Sequence, residues 1–224
     1  MHLLLLSATD PEIGETSSWL NNHSLGLNAL QPKLLISGIG QLQTAWALQN
    51  RIRLERPDLV IQAGIGGSPE KEDIGKVFAI SSDKMADLGV MEKTGFTDIF
   101  EMGFQNPDRF PFRNGKLSNP YKSLLSWTGL PVLDGITVNE IKSSETTGSQ
   151  RNPLRVVESM EGAALHYVCL MEQIPFIQIR AISNVTGDRE KSRWKIKEAL
   201  KSLHEELVVM IQKLEKADET LFRI

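Results

Sequence analysis

Apolar runs of strand length alternate with amphipathic stretches of helical length along most of the 224-residue chain. Several of these runs are apolar on both faces, which is typical of strands in the middle of a covered sheet. The pattern predicts six strands, at residues 3–8, 33–37, 59–63, 77–81, 132–138 and 176–182. It also predicts four long helices, at residues 11–22, 41–55, 162–173 and 190–216. This alternation favours an α/β fold, a three-layer α/β/α sandwich in which loops at the strand ends carry the functional site.

One segment departs from the alternation. Residues 83–120 contain scattered Gly, Pro and Asn and are predicted to form long surface loops. The segment also holds five of the eight phenylalanines, at positions 96, 100, 104, 110 and 112. Two interpretations remain open: the rings anchor the loops to the core, or some of them line a ligand pocket or a subunit contact. No repeat is evident, so a single domain over residues 1–224 is expected.

Composition and charge indicate what kind of molecule the protein binds. The formal net charge is −3 and 41% of the residues are hydrophobic, so the protein lacks the basic field typical of nucleic-acid binding, and a small molecule is the better candidate. No stretch has the length of a membrane span, and the first residues lack the basic start of a signal peptide. The single cysteine, Cys169, lies in an apolar helical run, which indicates an inert thiol and a cytoplasmic location.

The histidines do not indicate a metal site. His2, His23 and His204 have no acidic or cysteine neighbours at the spacing that metal ligands show, and His166 lies within an apolar helix. We therefore expect no metal and no organic cofactor.

Two glycine clusters follow predicted strands. They are "SGIGQ" at residues 37–41 and "AGIGGS" at residues 63–68, the second of which includes Gly64. Glycines at such positions let the backbone approach a ligand closely, or form simple tight turns. Neither cluster is a dinucleotide-binding fingerprint, because the first lacks a third glycine and the second is not followed by a clear helix.

A carboxylate and an amide stand at the ends of two buried elements. Glu161 follows a short strand that ends near Met160 and begins the predicted helix, where the helix dipole alone would stabilise an acid. The buried strand at 176–182 delivers Ser183 and Asn184 at its carboxyl end, where an asparagine is often only a turn former. Each residue taken alone therefore has a structural explanation.

Together, "MEGAA" at 160–164 and "RAISN" at 180–184 resemble the paired "MExxA … RxISD" motifs of the purine nucleoside phosphorylase and nucleosidase family. The resemblance extends from the first strand to the last helix and implies a phosphorylase/hydrolase-like sandwich with a mixed central sheet. The sequence is most similar to a branch that hydrolyses a 6-oxopurine nucleoside in an alternative menaquinone pathway. Nucleosidases that act on 5′-methylthioadenosine and S-adenosylhomocysteine, and the phosphorylases, are the alternatives.

The resemblance implies roles for three residues. Glu161 would accept hydrogen bonds from the ribose 2′ and 3′ hydroxyls while Met160 packs against the sugar, and a nearby carboxylate favours the oxocarbenium-like ribose of the transition state. Glu12 falls where the nucleosidases carry the acid that positions and deprotonates the attacking water. Asp10 is a neighbouring candidate, and "TDPE" is also an ordinary helix start.

Two departures from the family motifs indicate which nucleophile and which base the site uses. Phosphorylases commonly hold phosphate with an arginine beside the second glycine cluster, but Gln62 stands there, so water is the expected nucleophile. Asn184 replaces the aspartate that protonates adenine N7 in adenine-cleaving nucleosidases. An amide cannot supply a proton at neutral pH, but its NH2 group can donate to N7 and O6 of a 6-oxopurine, which favours hypoxanthine over adenine.

The remaining candidates come from the same resemblance. Thr137 and Val138, in "DGITVNEI", fall where the family runs a strand past the purine, although an ordinary strand end is an equal alternative. Phe104 is the candidate for packing against the C5′ substituent, an aromatic carboxylate in that branch, and the choice of Arg109 or Arg113 as its cation stays open. Relatives commonly form dimers or larger assemblies, so a homo-oligomer is implied.

Overall fold

The computed structural model describes residues 1–23, 30–93, 95–141, 155–216 and 221. The strands in these ranges are β1 (His2–Ser7), β2 (Gln31–Ile36), β3 (Leu59–Ser68), β4 (Val77–Ile80), β5 (Ser82–Asp83), β6 (Gly89–Glu92), β7 (Gly95–Asp98), β8 (Leu117–Ser118), β9 (Val132–Thr137), β10 (Val156–Ser159) and β11 (Phe176–Val185). The α-helices in the same ranges are α1 (Asp10–His23), α2 (Gln41–Leu54), α3 (Lys122–Thr128), α4 (Gly162–Met171) and α5 (Ile196–Leu214). None of these helices combines the length and the apolar composition needed to cross a bilayer.

Seven strands form one mixed sheet, in the order β10-β9-β4-β11-β3-β1-β2. Most neighbours run parallel, but β11 is antiparallel to β4. Strand β10 also pairs antiparallel with β3, so the sheet curls back on itself and brings the ends of β3, β10 and β11 together. Helices α1 and α5 pack together against the sheet, and α2 and α4 form a second packed pair. The predicted three-layer sandwich with a mixed central sheet is confirmed.

The helices and strands follow the hydrophobic pattern. In α5, the buried residues recur every three or four positions and form one apolar stripe, as a helix on a sheet requires: Ala199, Leu203, Leu207, Met210, Ile211 and Leu214. Strands β3 and β11 are buried along most of their length on both faces. Helix α5 begins later than predicted, because residues Lys191–Arg193 form a separate 3-10 turn held by the Arg193–Asp188 ion pair.

The prediction that the second glycine cluster follows a strand is wrong. The cluster lies inside β3, which continues to Ser68 because β10 and β11 supply backbone partners on both sides of the glycines. Side-chain pattern could not indicate this extension, since glycine carries no apolar side chain. The first cluster does form a turn, in which Gly38 and Gly40 adopt φ values of 83° and 92°, a conformation that favours glycine.

The phenylalanine-rich segment divides into two groups. The rings of Phe100 and Phe112 lie 5.2 Å apart, and Phe112 is buried in the core, as the anchoring interpretation predicts. In contrast, Phe104 and Phe110 are exposed.

Candidate active site

A cavity of about 320 Å³ opens where the carboxyl ends of β1, β3, β10 and β11 meet. It contains six of the residues proposed from the sequence: Glu12, Val138, Met160, Glu161, Ser183 and Asn184. Three others do not line it: Gly64, Thr137 and Phe104. Among the described residues, no group of three or more His, Cys, Asp or Glu side chains could hold a metal ion.

Glu12 is fixed by three hydrogen bonds. It lies in the first turn of α1 and accepts from the backbone N–H and the hydroxyl of Thr9 at Oε2, at 3.0 and 2.9 Å. The Thr9–Glu12 pair is a capping box, in which the acid satisfies an N–H that the helix leaves free. Its other oxygen, Oε1, accepts from the N–H of Ile65 at 3.0 Å, which ties the helix to the glycine-rich part of β3. The sequence "TDPE" is therefore both a helix start and one wall of the cavity.

Glu161 is the N-cap residue of α4 and is 6% exposed. Its Oε1 accepts from the backbone N–H of Gly40 at 3.1 Å, which holds the first glycine turn against the cavity. Its Oε2 lies 3.4 Å from Nη1 of Arg180. The carboxylate is thus largely withdrawn from water and paired with a buried cation.

Arg180 is a buried residue of the site that was not predicted from the sequence. It is 1% exposed, and its Nη2 donates to Oε1 of Gln62 at 2.9 Å. A signal was present, because an arginine within the buried run "IPFIQIRAISN" requires a carboxylate partner. Gly64 makes room for this arrangement: a Cβ at that position would lie 2.4 Å from Nη1 of Arg180 and 2.8 Å from Oε1 of Glu12. Gly64 therefore shapes the site from behind without lining the cavity.

Ser183 orients the amide of Asn184. The Ser183 hydroxyl donates to Oδ1 of Asn184 at 2.8 Å, and Nδ2 of Asn184 donates to the carbonyl of Val185 at 3.1 Å. With its oxygen engaged, the amide keeps one N–H for a ligand. The side chain thus presents a donor to the cavity.

Most of the remaining lining is apolar. Met160 and Val138 contribute, together with a wall that the sequence reasoning did not identify: Ile39, Ile65, Trp194, Ile196 and Leu200. The indole N–H of Trp194 donates to the carbonyl of Asp188 at 2.9 Å, which fixes the ring. An apolar cavity with a few convergent polar groups is the usual form of a small-molecule site.

Behind the cavity, a buried polar cluster supports the start of α4. The hydroxyl of Thr137 donates to Oδ1 of Asp83 and accepts from the N–H of Ala163, both at 2.7 Å. Thr137 therefore holds the first turn of α4, the helix that follows Glu161, and its side chain does not line the cavity. Burial raises the pKa of Asp83 to about 7, although the hydrogen bond from Thr137 opposes the shift. Burial lowers the pKa of His166, in the same cluster, to about 4.

Asp83→Asn should change how stability depends on pH. Because the pKa of Asp83 is about 7 in the folded chain against 3.8 ordinarily, the folded state holds this proton longer than the unfolded chain does. The group therefore favours folding at low pH, and this contribution is lost as pH rises to about 7. Asparagine cannot ionise. The free energy of unfolding of Asp83→Asn, relative to wild type, should therefore rise by on the order of a few kcal/mol between pH 5 and pH 8. The difference in Tm between the two proteins should rise with it.

Thermal unfolding from pH 5 to pH 9 checks this expectation. Asp108→Asn, at an exposed position, is the matched control and should show no such trend. A Tm difference between Asp83→Asn and wild type that stays flat across this range would contradict the assignment.

Known proteins resemble the chain in fold and in sequence. The fold matches a solved structure of futalosine hydrolase from Helicobacter pylori with a TM-score of 0.74, covering 95% of this chain and 98% of that one at 14% identity. In fold, the chain has the nucleosidase architecture. It is 30% identical to futalosine hydrolase of Streptomyces coelicolor over 180 residues, covering 76% of this chain and 74% of the relative. The chain belongs to the futalosine hydrolase family, which confirms the resemblance.

A second group of relatives is more distant. A 5′-methylthioadenosine/S-adenosylhomocysteine nucleosidase of Psychromonas ingrahamii is 24% identical over 208 residues, covering 85% of this chain and 89% of that protein. No family model matches the chain.

Proposed function

We propose that this protein hydrolyses the N-glycosidic bond of futalosine and releases hypoxanthine and dehypoxanthine futalosine. One observation carries the proposal: Glu12, Glu161 and Asn184, from three separate elements, face one apolar cavity in a member of the futalosine hydrolase family. Each has a chemical group suited to one part of a nucleoside, namely the attacking water, the ribose and the departing base.

Glu161 binds the ribose and stabilises the transition state. Its carboxylate accepts from the 2′ and 3′ hydroxyls while Met160 packs against the sugar ring. As the glycosidic bond lengthens, positive charge develops on the ribose, and the buried carboxylate stabilises that charge more than the neutral ground state. The Arg180 guanidinium holds the carboxylate in place from behind at 3.4 Å.

Glu12 orients the attacking water and takes its proton. The bonds from Thr9 and Ile65 fix the carboxylate before substrate binds, so little reorganisation is needed during the reaction. Asn184 donates its remaining N–H to N7 of the departing base and stabilises the electron density that moves onto the purine.

Water is the nucleophile in this proposal. Among the described residues that line the cavity there is no Arg or Lys, and the nearby Arg180 is engaged by Glu161 and Gln62. A phosphate dianion would therefore enter a cavity without a free cation from these residues, whereas neutral water has no such requirement.

A substrate panel tests the function. Purified protein is incubated with futalosine, inosine and 5′-methylthioadenosine, with and without phosphate, and the released base is identified by chromatography. We expect hypoxanthine from futalosine at the same rate in both buffers, and much slower release of adenine. Faster release of adenine would support the methylthioadenosine nucleosidase instead, and dependence on phosphate would support a phosphorylase.

We further propose that two copies associate beside the cavity mouth. Leu42 and Trp46 lie one turn apart on α2 and are 84% and 70% exposed, and the nearby Ile39 both lines the cavity and is exposed. Such an exposed apolar surface is typical of an interface. Light scattering after gel filtration should give a dimer for wild type and for the control Leu54→Lys, and a monomer for Trp46→Lys. A monomeric wild type would contradict the proposal.

The family resemblance also leads us to propose a cytoplasmic location and a step in the alternative menaquinone pathway. The buried, unpaired thiol of Cys169 suits a reducing compartment. Cells that lack the protein should accumulate futalosine and lose menaquinone, and fractionation should recover the protein with cytoplasmic markers. Normal menaquinone in such cells would contradict the pathway assignment.

A further inference from the structure

Three residues form a row across three strands at the floor of the cavity. Glu158 of β10 and Asn184 of β11 both pair with Gly67 of β3, one from each side. Paired residues on neighbouring strands direct their side chains to the same face of a sheet. Strand β11 shifts register just before Asn184, but Nδ2 of Asn184 would lie 3.4 Å from a Cβ of Gly67, which places it on that face. With strands about 4.8 Å apart, the two outer Cα atoms are about 10 Å apart. All three residues line the cavity.

Gly67 leaves the space between the two outer side chains open. A Cβ at this position would lie 3.0 Å from the hydroxyl of Thr186 and 3.4 Å from Nδ2 of Asn184. Without a side chain here, a flat ligand can lie over the backbone with one edge towards Asn184 and the adjoining edge towards Glu158.

The Glu158 carboxylate has no bonding partner among the described residues. Among the described residues, none forms a hydrogen bond or an ion pair with it, although the side chain is only partly exposed. Burial raises the pKa of the carboxyl group, Asp87 adds to the shift and Arg189 opposes it. A ligand that supplies a hydrogen-bond donor would therefore give this partly exposed acceptor a partner.

We propose that Glu158 accepts a hydrogen bond from N1–H of a 6-oxopurine base and so determines specificity for hypoxanthine over adenine. This inference deepens the proposed function and rests on it for the orientation of the base. Along its edge, hypoxanthine has acceptors at N7 and O6, followed by a donor at N1. Asn184, a donor, and Glu158, an acceptor, occur in that order on the two sides of Gly67.

Adenine has the opposite pattern beyond N7, with a donor at N6 and a lone pair at N1. Its N1 would face the carboxylate oxygen and leave both acceptors without a proton. A site that leaves buried polar groups unpaired with the wrong base discriminates strongly against it.

The experiment measures binding and turnover in Glu158→Ala and Glu158→Gln. Calorimetry gives the Kd of hypoxanthine and of adenine, and kinetics give kcat/KM for futalosine and for its analogue with a 6-amino group. For Glu158→Ala we expect hypoxanthine binding and futalosine kcat/KM to fall by roughly 10- to 100-fold, the usual effect of a hydrogen bond to a charged group. Values for the 6-amino compounds should not fall, and adenine binding should improve, because adenine N1 no longer faces a carboxylate oxygen.

Glu158→Gln separates recognition from structural damage. Its side chain keeps an acceptor for N1–H and gains a donor for adenine N1, so it should restore part of the hypoxanthine affinity and improve adenine binding. Glu205→Ala, on the exposed face of α5, is the control and should match wild type.

The outcomes distinguish the two proposals. If wild type cleaves futalosine and Glu158→Ala keeps its 6-oxo preference, the role of Glu158 is overturned while the function stands. If wild type binds hypoxanthine but does not cleave futalosine, and Glu158→Ala no longer binds hypoxanthine, the function is overturned and the recognition role stands. Wild type that binds neither base overturns both.

Discussion

Glu12→Gln is expected to lower kcat for futalosine by about 10³-fold, within the range of losses that follow removal of a general base. Glutamine has nearly the same shape, so it can still enter the cavity, but it cannot take a proton from water. The Kd of the nucleoside should change little, because Glu12 contacts the water and not the sugar or base. Single-turnover kinetics together with equilibrium binding would measure the two effects separately.

The matched control for this variant is Glu15→Gln, one turn along α1 and exposed, which should keep full activity. Glutamine can still form a capping box with Thr9, but its single carbonyl oxygen cannot replace both carboxylate oxygens, which accept from Thr9 and from Ile65. A loss of about 1 kcal/mol in stability is therefore expected alongside the kinetic effect. Turnover that survives Glu12→Gln would show that the base lies elsewhere, with Asp10 the next candidate.

Glu161→Gln is expected to damage both catalysis and stability. The neutral amide no longer stabilises the positive charge that develops on the ribose, so kcat should fall by roughly 10²- to 10³-fold. The change also leaves Arg180, 1% exposed, without its carboxylate. Breaking a buried ion pair by removing one partner costs about 3–5 kcal/mol. Steady-state kinetics and urea unfolding would give the two quantities.

A second change separates these two effects. Glu161→Gln combined with Arg180→Met removes the uncompensated cation, so it should recover much of the stability but none of the kcat. Glu172→Gln, which follows the carboxyl end of α4 and is partly exposed, is the control and should leave kcat unchanged. If the double variant recovered kcat, the charge on Glu161 would not act on the ribose.

We propose that Asn184 and Glu158 together select the base, and the two residues were not equally visible in the sequence. Asn184 occupies a motif position, so its replacement of an aspartate could be interpreted directly. Glu158 lies in a four-residue strand that pairs with β3 in the reverse direction. Its relation to Asn184 depends on the sheet curling back, which one strand pattern cannot predict.

Arg180 and Gly64 also have contacts that the pattern of a single strand cannot predict. The buried arginine in β11 indicated a buried acid somewhere, but its partner lies 19 positions earlier and reaches it only through the packing of α4 on the sheet. The sequence left two roles open for Gly64, a close approach of the backbone to a ligand or a tight turn. The structure adds that Gly64 makes room for Glu12 and Arg180, a requirement set by side chains from two other elements.

The sequence by itself determined the layered architecture, most of the element positions and the motif residues at the strand ends, because periodic burial and short motifs are local properties of the chain. The tertiary structure alone decided that β3 continues through its glycines, that Thr137 supports a helix from outside the cavity, and that Glu158 and Asn184 flank one glycine. These features depend on which distant segments become neighbours, and that depends on how strands pair and layers pack.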